Sequence, residues 1–321
     1  MKFYRIGIAL LLTAVMLYTA RNTSRGRPEE ISRTDNGYTF EFSTVPKGIE
    51  FTATEIALNV TGPFEEGTQV VMRLKMPSND FPDRLDGYAV YRMIPSQEIP
   101  GRFETEIRSG AKGGRTYYYF EVRDQANTVL ARFTDEDKQP WVFKYFGEVP
   151  PLVLLGHIFL MFATVFCVVM GAVHGADVVK TGSGARVMAR WITLAAVASF
   201  LGGYPFGFAM NYFAFGVVWE GVPFGTDATD NKTQLLFLYF VFVVAAAWGS
   251  LSNGKWGRDA FSQGMLGRLG IGALILQVLI YLIPHSIQFS KGLTYGVGYG
   301  FPALLLVWYL IGRTGSARRI Q

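Results

Sequence analysis

Three histidines are the side chains of this chain most suited to chemistry near neutral pH: His157, His174 and His285. The helix directions predicted from the sequence bring His157 and His285 to the same leaflet, with His174 at the opposite end of the His157 helix. Two imidazoles on different helices at one depth can ligate a b-type haem, or a divalent metal if carboxylates join them. The other interpretation is that each histidine hydrogen-bonds locally at a helix end. Both stay open.

A polar loop with the sequence WEGVPFGTDATDNKT, residues 219–233, is expected on the same side as these two histidines. Asp227 and Asp230 are the carboxylates that would complete a metal site with them. The loop also offers polar contacts for a small molecule or lipid: Glu220, Asp227, Asn231 and, from the preceding helix, Asn211. The alternative for Asp230 is an N-cap of the next helix.

Several function classes are disfavoured. No catalytic or phosphate-loop motif occurs, and the single cysteine, Cys167, excludes an intramolecular disulfide and a Cys-rich metal site. The predicted apolar spans contain no Asp, Glu, Lys or Arg, which argues against an ion-coupled transporter. Residues 21–148 carry 17 basic and 20 acidic residues, so the basic excess lies elsewhere and nucleic-acid binding is not expected.

Long apolar segments must position these groups. Residues 150–175 contain no charged side chain and are long enough to cross a bilayer. Similar runs near residues 191–215, 234–251, 269–283 and 293–312 predict a five-span bundle over residues 150–312. A kink or break is expected in the second span at Pro205, and Gly292, Gly296 and Gly300 are expected to form a close-packing helix face. A shorter run at residues 6–20 predicts a signal anchor or signal peptide within residues 1–22.

Residues 37–147 read as an all-β domain. Eight segments show either alternation of apolar and polar residues or enrichment in β-branched and aromatic residues, and turn residues separate them. That spacing is typical of an immunoglobulin-like sandwich. The predicted fold is therefore a membrane helical bundle into which an extracytoplasmic β-sandwich is inserted.

The distribution of basic residues predicts the orientation. If the N-terminus is cytoplasmic, eleven basic residues lie inside and only Lys232 and Lys291 lie in outer loops. The eleven are Lys2, Arg5, Lys180, Arg186, Arg190, Lys255, Arg258, Arg268, Arg313, Arg318 and Arg319. Residues 313–321 would form a basic cytoplasmic tail.

The segments FGEVPPLVLLGHIFLMF and LIPHS, with the loop WEGVPFGTDATDNKT between them, resemble a group of uncharacterised bacterial inner-membrane proteins. The resemblance covers residues 147–285, and the loop is its most specific part. It implies a multi-pass protein of the bacterial inner membrane and brings no activity with it.

Three functions follow as expectations. The first is a non-enzymatic membrane subunit or interaction protein whose β domain contacts an extracytoplasmic protein partner. The second is a redox module that holds haem b or a divalent metal through His157 and His285. The third is small-molecule or lipid binding under the loop of residues 219–233.

Overall fold

The structure is a computed structural model, and it describes residues 3–24, 28–75, 87–135, 138–283 and 289–318. The chain divides into two compact units. The helical unit comprises Met1–Arg25, Pro150–Tyr212 and Val217–Gln321. The strand unit comprises Gly26–Val149 together with Phe213–Gly216.

The strand unit contains two sheets with a β-sandwich-like arrangement. Its strands are β1 (Glu30–Asp35), β2 (Tyr38–Ser43), β3 (Lys47–Ile49), β4 (Ala53–Thr61), β5 (Gln69–Lys75), β6 (Ala89–Arg92), β7 (Ile94–Pro95), β8 (Arg102–Arg108), β9 (Arg115–Arg123), β10 (Val129–Phe133) and β11 (Trp141–Phe146). One sheet has the order β1-β2-β4-β8-β7, and we call it the first sheet. The second sheet has the order β3-β11-β9-β5-β6, with β10 also paired to β9.

Alternation along the strands builds the core of this unit. In β2, for example, Tyr38, Phe40 and Phe42 are buried while the residues between them face outward. Trp141 lies among aromatic rings from both sheets, 5.1 Å from Phe42 and 4.9 Å from Phe133 between ring centroids. Such aromatic packing supplies much of the apolar area that folding removes from water.

The helical unit contains eight α-helices among the described residues. They are α1 (Phe3–Ser24), α2 (Pro151–Thr181), α3 (Ala185–Leu201), α4 (Gly207–Phe215), α5 (Ala228–Ala246), α6 (Trp248–Leu251), α7 (Gln263–Leu282) and α8 (Lys291–Arg318). Helix α2 begins with Pro151. Proline suits the first position of a helix because an N–H there would have no acceptor within the helix.

Four helical segments in the described part of the chain are long and apolar enough to cross a membrane. They are Pro151–Thr181, Ala185–Phe215, Gln263–Leu282 and Lys291–Gly315. The prediction of five spans plus a signal anchor is therefore wrong by these criteria. Helix α5 is not among the four, and its first turns are polar, with Asp230 and Lys232. The apolar helix Phe3–Thr19 is shorter than the four.

The expected break at Pro205 is present as a π-helical segment, Gly202–Phe206, between α3 and α4. Proline has no N–H to donate to the preceding turn, so the α-helical hydrogen-bond ladder cannot pass through it unchanged. The wider π-helical turn joins α3 to α4 in one helical segment, Ala185–Phe215. The span therefore remains continuous while a backbone carbonyl becomes available to a side chain.

One end of the helical unit gathers basic residues and several chain reversals, and we call it the basic end. Arg5 of α1 pairs there with Asp177 near the end of α2. The backbone N–H of Ala185, at the start of α3, donates to Oε1 of Gln263 at the start of α7 (3.2 Å). Arg313 of α8 donates to the backbone carbonyl of Arg258 (2.9 Å). Helix α5 thus returns the chain to the end at which α3 began.

Close helix packing occurs at glycines other than those expected. A Cβ added at Gly292, Gly296 or Gly300 would meet nothing within 4 Å among the described residues, so that prediction is wrong for contacts within this chain. At Gly175 of α2 and Gly267 of α7, an added Cβ would lie 2.6 Å from the other residue's carbonyl oxygen. These two backbones touch because neither residue has a side chain.

Candidate functional site

His157 lies one and a half turns into α2 and faces the π-helical segment. Its Nδ1 is 2.9 Å from the carbonyl oxygen of Gly202. A carbonyl oxygen only accepts hydrogen bonds, so Nδ1 carries the proton and Nε2 is the nitrogen left for another partner. The contact satisfies a backbone group at the helix irregularity, which is the local interpretation given for this histidine. It also fixes the ring in the way that second-shell carbonyls orient metal-ligating histidines.

Of the other two histidines, only His174 belongs to the described residues, and it does not lie with His157. His285 lies outside the described residues, so its predicted pairing with His157 stays a prediction. His174 lies at the basic end, where its Nδ1 is 3.7 Å from Oδ2 of Asp177. It belongs to the Arg5–Asp177 pair rather than to the histidine at the other end of α2.

The start of α5 is capped by Asp227. Its Oδ1 accepts a hydrogen bond from the backbone N–H of Asp230 (2.9 Å). The expectation that Asp230 is the N-cap is therefore wrong, because α5 begins at Ala228, one turn earlier than the apolar pattern indicated. A carboxylate at this position satisfies an N–H that has no helical acceptor and favours the positive end of the helix dipole.

Asp230 holds the preceding loop and helix to α5. One carboxylate oxygen accepts from the side-chain amide of Asn211 in α4 (3.1 Å). The other accepts from the backbone N–H of Glu220 (2.7 Å). The side chain is buried, with only 7% of the residue exposed. The structure therefore brings together Asn211, Glu220, Asp227 and Asp230, which the sequence placed on one side of the bundle.

Two neighbours of Asp230 complete this network. Oδ1 of Asn231 accepts from the backbone N–H of Val222 (2.8 Å), while its Nδ2 is buried without an acceptor among the described residues. Nζ of Lys232 donates to the carbonyl oxygen of Ile283 after α7 (2.9 Å). Glu220 joins through its backbone, since its N–H binds Asp230 and its carbonyl accepts from Asp227 (2.8 Å).

Burial shifts the titration of two of these groups. Burial raises the pKa of Asp230 above its ordinary value, and the hydrogen bonds from Glu220 and Asn211 oppose the rise. Burial lowers the pKa of Lys232, and the nearby Asp227 carboxylate opposes that fall. The arrangement thus confines both a carboxylate and an ammonium group near the start of α5.

The network mainly fastens the loop to the helices. Both oxygens of Asp230 and one oxygen each of Asp227 and Asn231 already accept hydrogen bonds from this chain. Nowhere in the described ranges do three or more His, Cys, Asp or Glu side chains gather in a way that could hold a metal ion. The roles assigned to His157, Asp227 and Asp230 as metal ligands depend on His285, and they stay predictions.

An aromatic cluster beside this network was missed by sequence reasoning. The ring of Trp219 stacks on Tyr204 at 5.6 Å and 14° between planes, and it meets Phe208 edge-on at 5.7 Å. Its indole Nε1 donates to the carbonyl of Val222 (3.4 Å). The sequence signal was the repeated Pro-Phe-Gly and the loop tryptophan, but their proximity depends on the π-helical turn that positions Tyr204.

The two sheets of the strand unit carry opposite charge, and this forms a second candidate surface. The strands of the first sheet contain six acidic and three basic residues. Those of the second sheet contain eight basic residues and a single acidic one, Glu121. The eight are Lys47, Arg73, Lys75, Arg92, Arg115, Arg123, Arg132 and Lys144. We call their common outward side the basic face.

Strand register assembles the basic face. Arg73 lies opposite Tyr119, Lys75 opposite Tyr117, and Lys47 directly beside Lys144. Side chains at paired positions point to the same side of a sheet, and the intervening residues fill the core. Adjacent like charges such as Lys47 and Lys144 disfavour the folded state, so their placement calls for an explanation outside the fold.

Glu121 lies at the centre of the basic face and is fully buried. Its carboxylate accepts hydrogen bonds from Arg123 (2.6 Å) and Arg132 (2.9 Å), and Nε of Arg73 is 3.9 Å away. One carboxylate therefore serves three guanidinium groups. The surrounding charge stays positive, and Nε of Arg73 is buried with no hydrogen-bond acceptor in the described structure.

The sequence matches no protein-family model, and no curated protein is detectably similar to it.

Proposed function

We propose that this chain is a multi-pass subunit of a bacterial inner-membrane assembly, in which an extracytoplasmic, immunoglobulin-like β domain binds an acidic protein partner. The observation that carries the proposal is the basic face of the second sheet. The strands of this sheet carry eight basic residues and one acidic residue. The buried Glu121 binds two of the eight and lies near a third, which leaves five basic residues that this carboxylate does not hold. Complementary charge gives an interface its specificity and its association rate.

The composition of the basic face favours a protein partner. Tyr119 packs between Tyr88, at 5.2 Å between ring centroids, and the guanidinium of Arg132, at 5.6 Å. Both rings are buried, so they hold the guanidinium of Arg132 in place rather than contact a partner. The contact surface is formed by exposed basic side chains such as Arg92 and Lys144, and arginine is enriched at protein interfaces. The partner is therefore a surface rich in Asp and Glu.

The basic end of the helical unit supports the proposed orientation. At that end, Arg5 pairs with Asp177, and Arg313 donates to the backbone carbonyl of Arg258. Lys and Arg near membrane helices favour the cytoplasmic side. We infer that this end, with the C-terminal tail, is cytoplasmic, and that the loop of residues 219–233 is extracytoplasmic. The resemblance of that loop to bacterial inner-membrane proteins supports the same assignment.

Site-specific photo-crosslinking in cells tests the proposal. A photoreactive residue replaces Lys144 on the basic face or, as the matched control, the exposed Glu41 on the outward side of the first sheet. Position 144 is expected to give one discrete adduct with an acidic protein, and position 41 none. The partner, once identified by mass spectrometry and purified, should bind the full-length chain more weakly as salt rises.

A charge-reversal pair completes the test. Lys47→Glu with Lys144→Glu should weaken binding to the purified partner by about tenfold or more. Glu41→Lys with Glu106→Lys changes the same number of charges on the other sheet and should leave binding unchanged. Equal crosslinking from both sheets, or equal effects of the two double variants, would refute the proposal.

A second candidate function is a redox module with haem b or a metal, and one observation favours it. The Nδ1 contact with Gly202 leaves Nε2 of His157 as the unprotonated nitrogen, the form that binds iron or zinc. An absorption spectrum of the purified protein, oxidised and then reduced with dithionite, tests for haem. If the wild type shows a Soret band and both His157→Ala and His285→Ala lack it, this function is supported. A featureless spectrum of the wild type eliminates haem.

A further inference from the structure

The basic end of the helical unit contains an open recess of about 500 Å³. Two segments form its walls. One is the turn from α2 into α3, with Gly184 and Arg186, and the other is the connection from α6 to α7, with Asn253, Gly257 and Arg258. A recess of this size is large enough for a phosphate-bearing head group.

A hydrogen-bonded floor holds the two walls together. Asp259 accepts from the backbone N–H and the hydroxyl of Ser250, both at 2.6 Å, and from Nε2 of Gln263 at 3.1 Å. Oε1 of Gln263 accepts from the N–H of Ala185. The one carboxylate of the lining is thus occupied by donors of this chain, and it fixes the shape of the recess.

The charge available to a ligand comes from arginines. Arg186 and Arg258 both line the recess. Nε of Arg186 is buried and has no hydrogen-bond acceptor within the described residues. Arg313 donates to the backbone carbonyl of Arg258, which brings a third guanidinium close by. A buried guanidinium N–H without an acceptor is costly, and an anion in the recess would add charge-assisted hydrogen bonds to the guanidinium groups that line it.

The backbone of the recess is shaped for a close approach. Gly184, Gly254 and Gly257 have φ values of 92°, 73° and 139°, where a side chain would be strained. Gly184 is the N-cap of α3 and has no side chain to cap the helix. The N–H groups of Ala185 and Val187 already donate to Gln263 and to the carbonyl of Gly184, so α3 contributes the positive end of its dipole beside Arg186.

We propose that this recess binds a phosphate group, with Arg186 and Arg258 as its charged ligands beside the positive end of the α3 dipole. Two sources present that chemistry at a membrane surface: the head group of an anionic phospholipid and a soluble phosphate compound. Guanidinium groups fit either source, because each can donate two parallel hydrogen bonds to phosphate oxygens.

The test uses the full-length protein and two probes. Inorganic phosphate is titrated while tryptophan fluorescence is recorded, since Trp256, next to Gly257 in the wall, is 76% exposed. Separately, the protein is placed in phosphatidylcholine nanodiscs with or without phosphatidylglycerol, and retained lipid is counted by native mass spectrometry. The variant is Arg186→Gln with Arg258→Gln. Arg268→Gln is the control, since Arg268 is exposed on α7 and does not line the recess.

Saturable phosphate binding that weakens about tenfold or more in the double variant, but not in Arg268→Gln, identifies a soluble phosphate ligand. If the wild type and Arg268→Gln retain phosphatidylglycerol and the double variant loses it, the ligand is a lipid head group. The proposal is overturned if neither probe binds saturably, or if Arg268→Gln loses as much binding as the double variant. Unfolding midpoints of all variants, measured without ligand, separate loss of the site from loss of the fold.

Discussion

The guanidinium of Arg5, at the start of α1, donates hydrogen bonds to both carboxylate oxygens of Asp177, near the end of α2. The two residues are 172 positions apart in the sequence. Sequence reasoning placed Arg5 among the basic residues at the cytoplasmic side and did not consider Asp177. The pair shows that α1 lies beside α2 with its N-terminus at the basic end.

Exchanging the two charges tests this pairing. Arg5→Asp alone and Asp177→Arg alone should each lower the unfolding midpoint, because each brings two like charges together. The double exchange should recover part of the loss in a double-mutant cycle. Both side chains are partly exposed, so the effects should diminish as salt is added. Additive losses in the double variant would show that the pair does not couple the helices.

His157→Ala tests the local role of this histidine. The change removes the hydrogen bond that His157 donates to the Gly202 carbonyl in the π-helical segment. The expected cost is about 1–3 kcal/mol in the free energy of unfolding. His157→Asn, which also carries an N–H donor, should cost less. Equal stability of wild type and His157→Ala, measured by chemical unfolding in detergent, would argue against this role.

The buried carboxyl of Asp230 predicts a pH dependence. Its pKa in the folded protein is raised above the ordinary value of 3.8, so between these two values the native state keeps a proton that the unfolded state has lost. The contribution of Asp230 to the free energy of unfolding is therefore full below pH 3.8. It declines as pH rises from 3.8 to the folded-state pKa, a range that we call the titration window. The total decline is about 1.4 kcal/mol for each unit by which the folded-state pKa exceeds 3.8.

Asp230→Asn removes this titration. As pH rises from 3.8 through the titration window, the unfolding midpoint of the wild type should fall relative to that of Asp230→Asn. Asp227 and Glu220 also raise the pKa of Asp230 by their charge, so Asp227→Asn should narrow the window. A wild-type-minus-variant difference that is constant with pH would contradict the prediction.

Gly175→Ala should be destabilising because α2 and α7 touch there. The new Cβ would lie 2.6 Å from the carbonyl oxygen of Gly267, a backbone atom that cannot rotate away. The expected cost is about 1–3 kcal/mol. Gly296→Ala in α8 is the control, since its Cβ would meet nothing within 4 Å, and helix propensity makes it neutral or slightly favourable. Thermal unfolding of both variants in one detergent provides the comparison.

Local patterns predicted many elements of this protein, although not the number of spans or the start of α5. Alternation in segments such as residues 38–43 and 115–123 predicts strands because a pleated sheet buries every second residue. The uncharged run of residues 150–175 predicts a spanning helix because only apolar side chains fit the bilayer core. Pro205 predicts a break because proline removes a helical donor. These inferences need only the neighbouring residues.

Tertiary structure decided which distant residues meet. The Gly175–Gly267 contact, and the absence of such contacts at Gly296, depend on how α2, α7 and α8 cross, which no local period specifies. The choice of Asp227 over Asp230 as the cap depends on one extra helical turn that Asp230's bonds to Asn211 and Glu220 stabilise. Both preferences come from long-range packing and hydrogen bonding.

The charges of the β domain also separate what the sequence determines from what the tertiary structure determines. The sequence determined that the β domain carries nearly balanced charge, with 17 basic and 20 acidic residues between 21 and 148. Only the strand order decided that eight basic residues share one sheet and that Glu121 lies buried among three arginines. Composition fixes how many charges a chain has, whereas their summed field depends on which strands pair, because pairing determines which side chains face the same way.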